Sequence, residues 1–519
     1  MPRSDSSRPD LPTTVFAGAL VACLHPLRFG YQYGSGDHDD LLPPVLAQLH
    51  PEWFSHDAYV QSQVGDMTVR TVFQMVLRAL SGVLSLPAAA GVLHLLSSVA
   101  VSAGVFALAR ALRLGRTASV LATVLACVVV PTVTIGGNAV IYSLLTPEGI
   151  AWAVILPAMV WFVQKKRMRA AALLGFAAWF HLLAAGLVGL VLTGVALLEA
   201  LDRREGWDRA AAFGGLAAAI AAPIAVPVLL RQSAEAGAAL PPGLDAFTLY
   251  ATLRFPHHFL PMHAGVGRWG LVLLLGALGI AGYLAARRST RPPDIRFPLR
   301  FAIAAIALMV IGTVGIYAFE SLAAARVQAF KLTVLLNVLA CIGISGGLLS
   351  RLSPDLRQRA DRALRRQPRA VWSLAVGLLL LGSFARWTPD PDPARSVAEW
   401  AHATTDRHAV FAVPPSMAGF RVPSERSVVV TWKSVPFRAD LAADWWTRLM
   451  AVAPLADVPR DGDGLQARLD SAYAAQPDDA RRQLGESYGA THAVVPSTVS
   501  TALPVLHDDG TWKVLRLSE

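Results

Sequence analysis

The sequence predicts an α-helical polytopic membrane protein, with about eleven transmembrane helices and a small α/β domain at its C-terminal end. Three observations carry that reading. Of the 519 residues, 54% are hydrophobic and only 16% charged, with a mean hydropathy of +0.46, whereas a soluble chain of this length would form two or three domains with far more charge. Apolar segments of membrane-spanning length recur throughout the first 386 residues. Beyond residue 387 the pattern changes to short β-type runs between charged helical stretches.

Taken in order, the polar start MPRSDSSRPD reads as a retained cytoplasmic tail, because two Arg and no cleavage-site pattern precede the first apolar segment. That segment covers 12–29. A loop at 30–84 follows, with amphipathic pieces at 42–49 and 69–84. Further apolar segments lie at 86–109, 117–133, 147–164, 169–182, 184–201, 211–230, 269–286, 299–318, 328–349 and 371–386. The net charge of +10 comes from Arg and Lys clustered between these segments, the pattern of cytoplasmic loops facing anionic lipid. No basic residues interleave with aromatics as a nucleic-acid groove requires, so nucleic acid is not a predicted partner. If every basic cluster is cytoplasmic, an even number of spans must separate neighbouring clusters, and this holds when 169–201 is two short spans meeting near His181. The N-terminus is then inside, and the loop 30–84 and residues 387–519 are outside.

The predicted domains are therefore 1–386 in the membrane and 387–519 outside it. The outer one reads as α/β from the runs AVFAV at 409–413, SVVVTW at 427–432, HAVVPS at 492–497 and WKVLRL at 512–517, with helical stretches at 438–452 and 465–487. Cys23, Cys127 and Cys341 each sit in an apolar run and read as core residues rather than metal ligands or disulfides.

The chemistry-bearing residues collect on the predicted outer side. YQYGSGDHDDLLPPVLAQLHPEWFSHDAYVQSQVGD at 31–66 holds Asp37, His38, Asp39, Asp40, Asp57 and Asp66 in a chain otherwise poor in acid. Carboxylates beside a bilayer are costly to desolvate, so such a cluster has either a partner or a task. Asp39, Asp40, Asp57 and Asp66 also suit helix starts, where a carboxylate favours the dipole. Asn138, Glu148, His181, His257, His258, Glu320 and Arg326 fall on the same side. Glu148 in TPEG suits the start of the fourth span, and His181 the backbone of a hairpin apex. His257 and His258, adjacent in RFPHHFLP, should point to different sides. Lys331 is about one turn inside the tenth span, where a cation needs a carboxylate, carbonyls or a phosphate. Glu320 or an acidic-loop residue is the expected carboxylate, and a lipid phosphate is the alternative.

An early Asp in a long loop after the first span, many further spans, the hairpin FHLLAAG, a late cation and a C-terminal outer domain together resemble the GT-C superfamily of membrane glycosyltransferases. More narrowly, YGSGDHDDLLPPVLAQLHPEWFSHD, RFPHHFLP and VPPSMAGFRVPSERSVVVTWKSVPF resemble an uncharacterised bacterial polytopic family ending in a domain of unknown function. The resemblance implies a bacterial cytoplasmic membrane protein that moves a sugar from a polyprenyl-phosphate or polyprenyl-diphosphate carrier to a glycan, lipid or protein acceptor. It implies Asp37 as general base, Arg326 as the phosphate cation and Lys331 as its second donor. His38, Asp39, Asp40, Asp57, Glu148, His181, His257, His258 and Glu320 would line the pocket. A divalent cation among the acidic-loop oxygens is compatible with this, since the superfamily has metal-dependent and metal-free members. The alternative is a non-catalytic protein: a lipid or glycan transporter, or an assembly partner in the cell envelope.

Overall fold

The computed structural model describes residues 11–65, 67–203, 206–234, 244–287, 292–366, 392–436, 439–458 and 464–518, together with residues 240, 377 and 462. It is mostly helical, with one small sheet near its C-terminal end. Seven helical stretches among the described residues are long and apolar enough to cross a membrane: Leu11–Phe29, Leu86–Ala111, Leu182–Asp202, Trp207–Arg231, Pro261–Ala286, Arg296–Phe319 and Leu322–Ser350.

The predicted class holds; among the described residues, three of the eleven predicted segments are helices shorter than a full span. The segment predicted at 117–133 is a helix of nine residues that widens into a π-turn at Leu125–Val129 and stops before Pro131. That predicted at 147–164 is a 17-residue helix, started by Pro147 and ended before Lys165. That at 169–182 is the 11-residue helix Arg167–Ala177, which ends before His181. The segment 371–386 lies outside the described residues apart from Gly377, as does Asp66.

The chain divides into two compact units. One comprises Met1–Tyr31, Ala90–Val226 and His257–Thr388; the other comprises Gln32–Ala89, Pro227–Pro256 and Pro389–Glu519. This differs from a boundary at 386/387, because the early loop packs within the same unit as the C-terminal segment. In the first unit, Trp152, Phe162, Phe213, Phe301 and Leu335 belong to one continuous apolar core. Helices Gly265–Ala286 and Thr333–Ser350 cross where Gly279 and Gly282 meet Gly343 and Gly347, so closely that any Cβ would strike the opposite backbone or ring. In a bilayer, where lipid is as apolar as Leu, such small residues let helices gain close packing.

In the second unit the sheet order is β2-β1-β3-β5-β4, with β1 Val410–Ala412, β2 Ser427–Val428, β3 His492–Pro496, β4 Val505–Asp508 and β5 Trp512–Arg516. β1 pairs in parallel with β2 and β3, while β5 runs antiparallel to β3 and β4. β1 is central and buried along its whole length, which explains its unbroken apolar run. β4 is half exposed, and its sequence VLHD gave no strand signal. The helical stretch predicted at 465–487 consists of two helices, Leu465–Ala474 and Asp478–Tyr488, with Pro477 between them at the start of the second.

Candidate functional site

The acidic loop begins with a turn that needs two left-handed glycines, Gly34 (φ +83°) and Gly36 (φ +58°). The Gly36 amide donates to the carbonyl of Ala418, and the Gly34 amide to Nδ1 of the buried His38. The short helices His38–Leu41 and Pro43–Leu49 then carry Asp39 and Asp40 into the interior of the second unit.

There the loop meets Arg421, which is fully buried. Its amide and Nη1 donate to the two oxygens of Asp39 at 2.9 and 3.1 Å, and its Nε donates to Asp57 Oδ2 at 2.7 Å. Nη1 also reaches the hydroxyls of Thr431 and Ser434, and Ser434 donates in turn to Asp40 Oδ1 at 2.7 Å. Asp57 Oδ2 accepts from the Val428 amide as well, while Oδ1 caps the helix Ala58–Val64 through the Val60 amide. Two buried carboxylates share one guanidinium here, as the planar fork of Arg allows and Lys would not, while Arg421 Nη2 makes no hydrogen bond among the described residues. Burial, helped by the neighbouring Asp40, still pushes Asp39 up to about 6 against the pull of Arg421. The capping expected of Asp57 is present. Asp39 and Asp40 cap nothing with their side chains; one is bound to Arg421 and the other to Ser434.

Asp37 is different. Of Asp37, Asp39, Asp40 and Asp57, it alone keeps an exposed side chain, at 57%, and its Oδ1 lies 2.7 Å from Nζ of Lys433. Two further cations belong to the same neighbourhood. Arg254 donates from Nη2 to the Lys433 carbonyl at 2.7 Å, and its guanidinium lies over the rings of Phe255 and Trp432. Burial lowers Arg254 to about 10, an effect that Asp40 and Asp37 oppose, so it remains a cation at neutral pH. Arg70 donates from Nη1 to Tyr59 Oη at 2.5 Å and more weakly to the Asp40 carbonyl. Burial works against its charge, but Tyr59, Asp40 and Asp37 outweigh this and hold it above the ordinary Arg value. An accessible carboxylate thus shares its surroundings with Lys433, Arg254 and Arg70. Sequence reasoning missed Arg70 and Arg254 as site residues, although Arg254 opens the motif RFPHHFLP and Lys433 lies in the motif TWKSVPF.

The first unit gathers a separate set. Lys331 is buried and donates to Glu148 Oε2 and Asn138 Oδ1, both at 2.7 Å. Its carboxylate partner is therefore Glu148, not Glu320 or an acidic-loop residue. Glu320 is exposed at the left-handed end of helix Arg296–Phe319 (φ +45°). Glu148 does not cap its helix: the cap is Thr146, whose hydroxyl accepts from the Gly149 amide. His181 accepts from the Ala184 amide at Nδ1, which leaves the proton on Nε2, 3.6 Å from Glu148. His257 and His258 do not diverge as expected. The turn Pro256–Phe259 brings their ring centroids to 4.1 Å, and His258 Nδ1 lies 2.6 Å from the Gly136 carbonyl. Arg326 is half-buried in the last turn of the short helix Leu322–Val327.

Among the described residues, no group of three or more His, Cys, Asp or Glu is arranged to hold a metal ion. Residues 393–452 match a family described as a domain of unknown function (DUF6798). No curated protein matches the chain. Among solved structures, the crystal structure of ArnT from Cupriavidus metallidurans bound to undecaprenyl phosphate is similar over 97% of this chain and 97% of that one, with 15% identity and a TM-score of 0.48. That identity is too low to carry any single residue from one chain to the other.

Proposed function

We propose that this protein is a membrane glycosyltransferase of the GT-C type, acting in a bacterial cytoplasmic membrane with its N-terminus inside and its C-terminal domain outside. It transfers a sugar from a polyprenyl-phosphate or polyprenyl-diphosphate carrier to an acceptor hydroxyl. The observation that carries this reading is the division within the acidic loop. Three aspartates are buried and tied to Arg421 or Ser434, and a fourth, Asp37, is left accessible among three cations.

An acceptor hydroxyl is a weak nucleophile, and a carboxylate within about 2.6–3.2 Å of it takes its proton as the bond to the anomeric carbon forms. The bond from that carbon to the phosphate oxygen breaks on the opposite face, and the lipid phosphate leaves with the bonding pair. Asp37 is the base in this scheme, oriented by Lys433. The developing phosphate charge falls to Arg254 and Lys433, with Arg70 supporting Asp40 and Tyr59 beside them. Lys331 is already neutralised by Glu148; the phosphate role expected of Arg326 is tested directly by Arg326→Gln.

The test is carrier release. Purified protein in nanodiscs is incubated with a panel of sugars linked to polyprenyl phosphates and diphosphates, and the released carrier is quantified. Release by the wild type, falling by about 10²–10⁴ in Asp37→Asn, is the expected result. No release from any donor, or full activity in Asp37→Asn, rejects the reading and favours a non-catalytic role.

A further inference from the structure

The helix Pro354–Arg366, PDLRQRADRALRR, belongs to the first unit and lies apart from the residues around Asp37. It follows the candidate span that ends at Ser350 after the link 351–353, with Pro354 in its first turn and the Leu356 amide donating to Ser353 Oγ. Such a link reaches about 10 Å at most, so the helix stays near the span's end, where lipid headgroups lie. Asp361 fixes it there. Its Oδ1 accepts from the amide and the hydroxyl of Thr117, at 2.9 and 2.8 Å. It thereby caps helix Arg116–Val124, whose own N-cap residue, Gly115, has no side chain to do so.

Other segments bring further arginines to this end. Helices Gly265–Ala286 and Thr333–Ser350 run in the same direction, since Gly279 lies against Ala340 and Gly282 against Gly343, and they stop at Arg287 and Arg351. A Cβ on Gly346 would lie 3.6 Å from Ala286 and 3.8 Å from Leu114, which places Arg113 at the same end. Arg113, Arg287, Arg351, Arg359 and Arg362 are exposed, and none of them enters an ion pair among the described residues. Of the acids here, Asp361 is committed to Thr117 and Asp294 accepts from the Arg296 amide, while Asp355 is exposed. Leucines are exposed alongside: Leu348 in the span's last turn, Leu352 in the link and Leu356 in the helix's first turn. Cations in excess of acid beside exposed leucines, at the end of two spans, suit the bilayer interface, where leucines enter the acyl boundary and arginines reach the headgroups.

We infer that this face is a docking surface for the anionic lipid headgroups of the surrounding bilayer, with Arg351, Arg359 and Arg362 as its principal contacts. The inference is independent of the reading of Asp37. Because Asp361 fixes the helix, its arginines are presented together rather than on a loose loop. Each arginine held near an anionic surface is expected to slow opening of the helix by about fivefold.

The full chain is placed in nanodiscs of phosphatidylcholine, with or without phosphatidylglycerol as the minor component, and hydrogen exchange of 351–366 is compared. Exchange slowed about fivefold or more by phosphatidylglycerol, and restored in about 1 M salt, supports the surface. The slowing should vanish in Arg351→Gln/Arg359→Gln/Arg362→Gln. It should persist in Arg351→Lys/Arg359→Lys/Arg362→Lys, because a headgroup layer responds to charge and does not require the guanidinium fork. Arg482→Gln, at an exposed position of the second unit, should leave it unchanged. Should the triple Gln variant melt below wild type, Arg359→Gln takes its place and should lose part of the slowing. Equal exchange in the two bilayers, which would leave the face to a soluble acidic partner, overturns the inference, as does slowing that survives the loss of all three charges.

Discussion

Arg421→Met tests how the second unit is held together. Methionine keeps the apolar stem and removes the guanidinium, and with it the ion pairs to Asp57 at 2.7 Å and Asp39 at 3.1 Å and the bonds to Thr431 and Ser434. Both carboxylates are fully buried. Breaking a buried pair on one side leaves charge without compensation and costs about 3–5 kcal/mol. For a cooperative unit of about 200 residues that corresponds to a fall in Tm of roughly 10 °C. The charge argument is isolated by the triple variant Arg421→Met/Asp39→Asn/Asp57→Asn, which removes cation and anions together and should recover about half or more of the loss. Tm is read by light scattering and intrinsic fluorescence, with hydrogen exchange of 37–57 as the local readout. In Arg421→Met this stretch should exchange faster, since its helices lose their counter-charge. If Arg421→Met melts within about 2 °C of wild type with unchanged exchange, or if the triple variant melts lower than the single one, the ion-pair account of this core is wrong.

Carrier release should fall by about 10²-fold in Arg254→Gln with kcat reduced more than KM raised, as expected for a group that meets charge developing in the transition state; a matching loss in Arg326→Gln with Arg254→Gln unaffected would move the phosphate to Arg326. Lys331→Met should cost about 3–5 kcal/mol by stranding Glu148, and Lys331→Met/Glu148→Gln should restore most of it, both measured by thermal inactivation in detergent. Burial, reinforced by Arg516, lowers His492 to about 4, so the unfolded chain binds a proton that the fold refuses between about 4 and 6.5, and stability is lost as pH falls through that window by at most about 3 kcal/mol. Asp39, raised to about 6, acts in the opposite sense, favouring the fold as pH falls from about 6 towards 3.8. Comparing wild type with His492→Phe by denaturant melts at pH 4, 5, 6 and 7 separates the two; an unchanged pH profile in His492→Phe would contradict the assignment.

What sequence could reveal followed how local the physics is. The long spans were legible because a run of about 20 apolar residues suits a bilayer and little else. The helix Ala58–Val64 start was legible because Asp57 reaches only three residues ahead to Val60. The short segments were over-read: composition alone does not say that 117–133 stops as a π-turn before Pro131, or that 169–182 ends at Ala177. Pairings across the chain left no local trace. Arg421 and Asp39 are 382 positions apart, and Lys331 and Glu148 are 183 apart. With eight or more acidic or cationic candidates, the hydropathy pattern names which residues need partners but not which partner each receives. Arg254 was overlooked for a related reason: an Arg at a loop edge is ordinary in composition, and its burial against Phe255 and Trp432 depends on the folded unit.

The same long-range pairings bear on what the C-terminal segment contributes. The family match at 393–452 contains both Arg421 and Lys433, the residues that hold Asp39 and Asp57 in the interior and Asp37 at the surface. An acidic loop of four aspartates and Glu52 within 21 positions repels itself, and three of the aspartates could not be buried in the absence of a counter-charge. The loop supplies the acid and the C-terminal segment supplies the base, so neither carries its charge into a folded interior alone. A domain attached only to cover a membrane protein would not need a fully buried guanidinium donating to residues 382 positions away. Its physical role is to complete the fold of the early loop, burying Asp39, Asp40 and Asp57 and leaving Asp37 exposed.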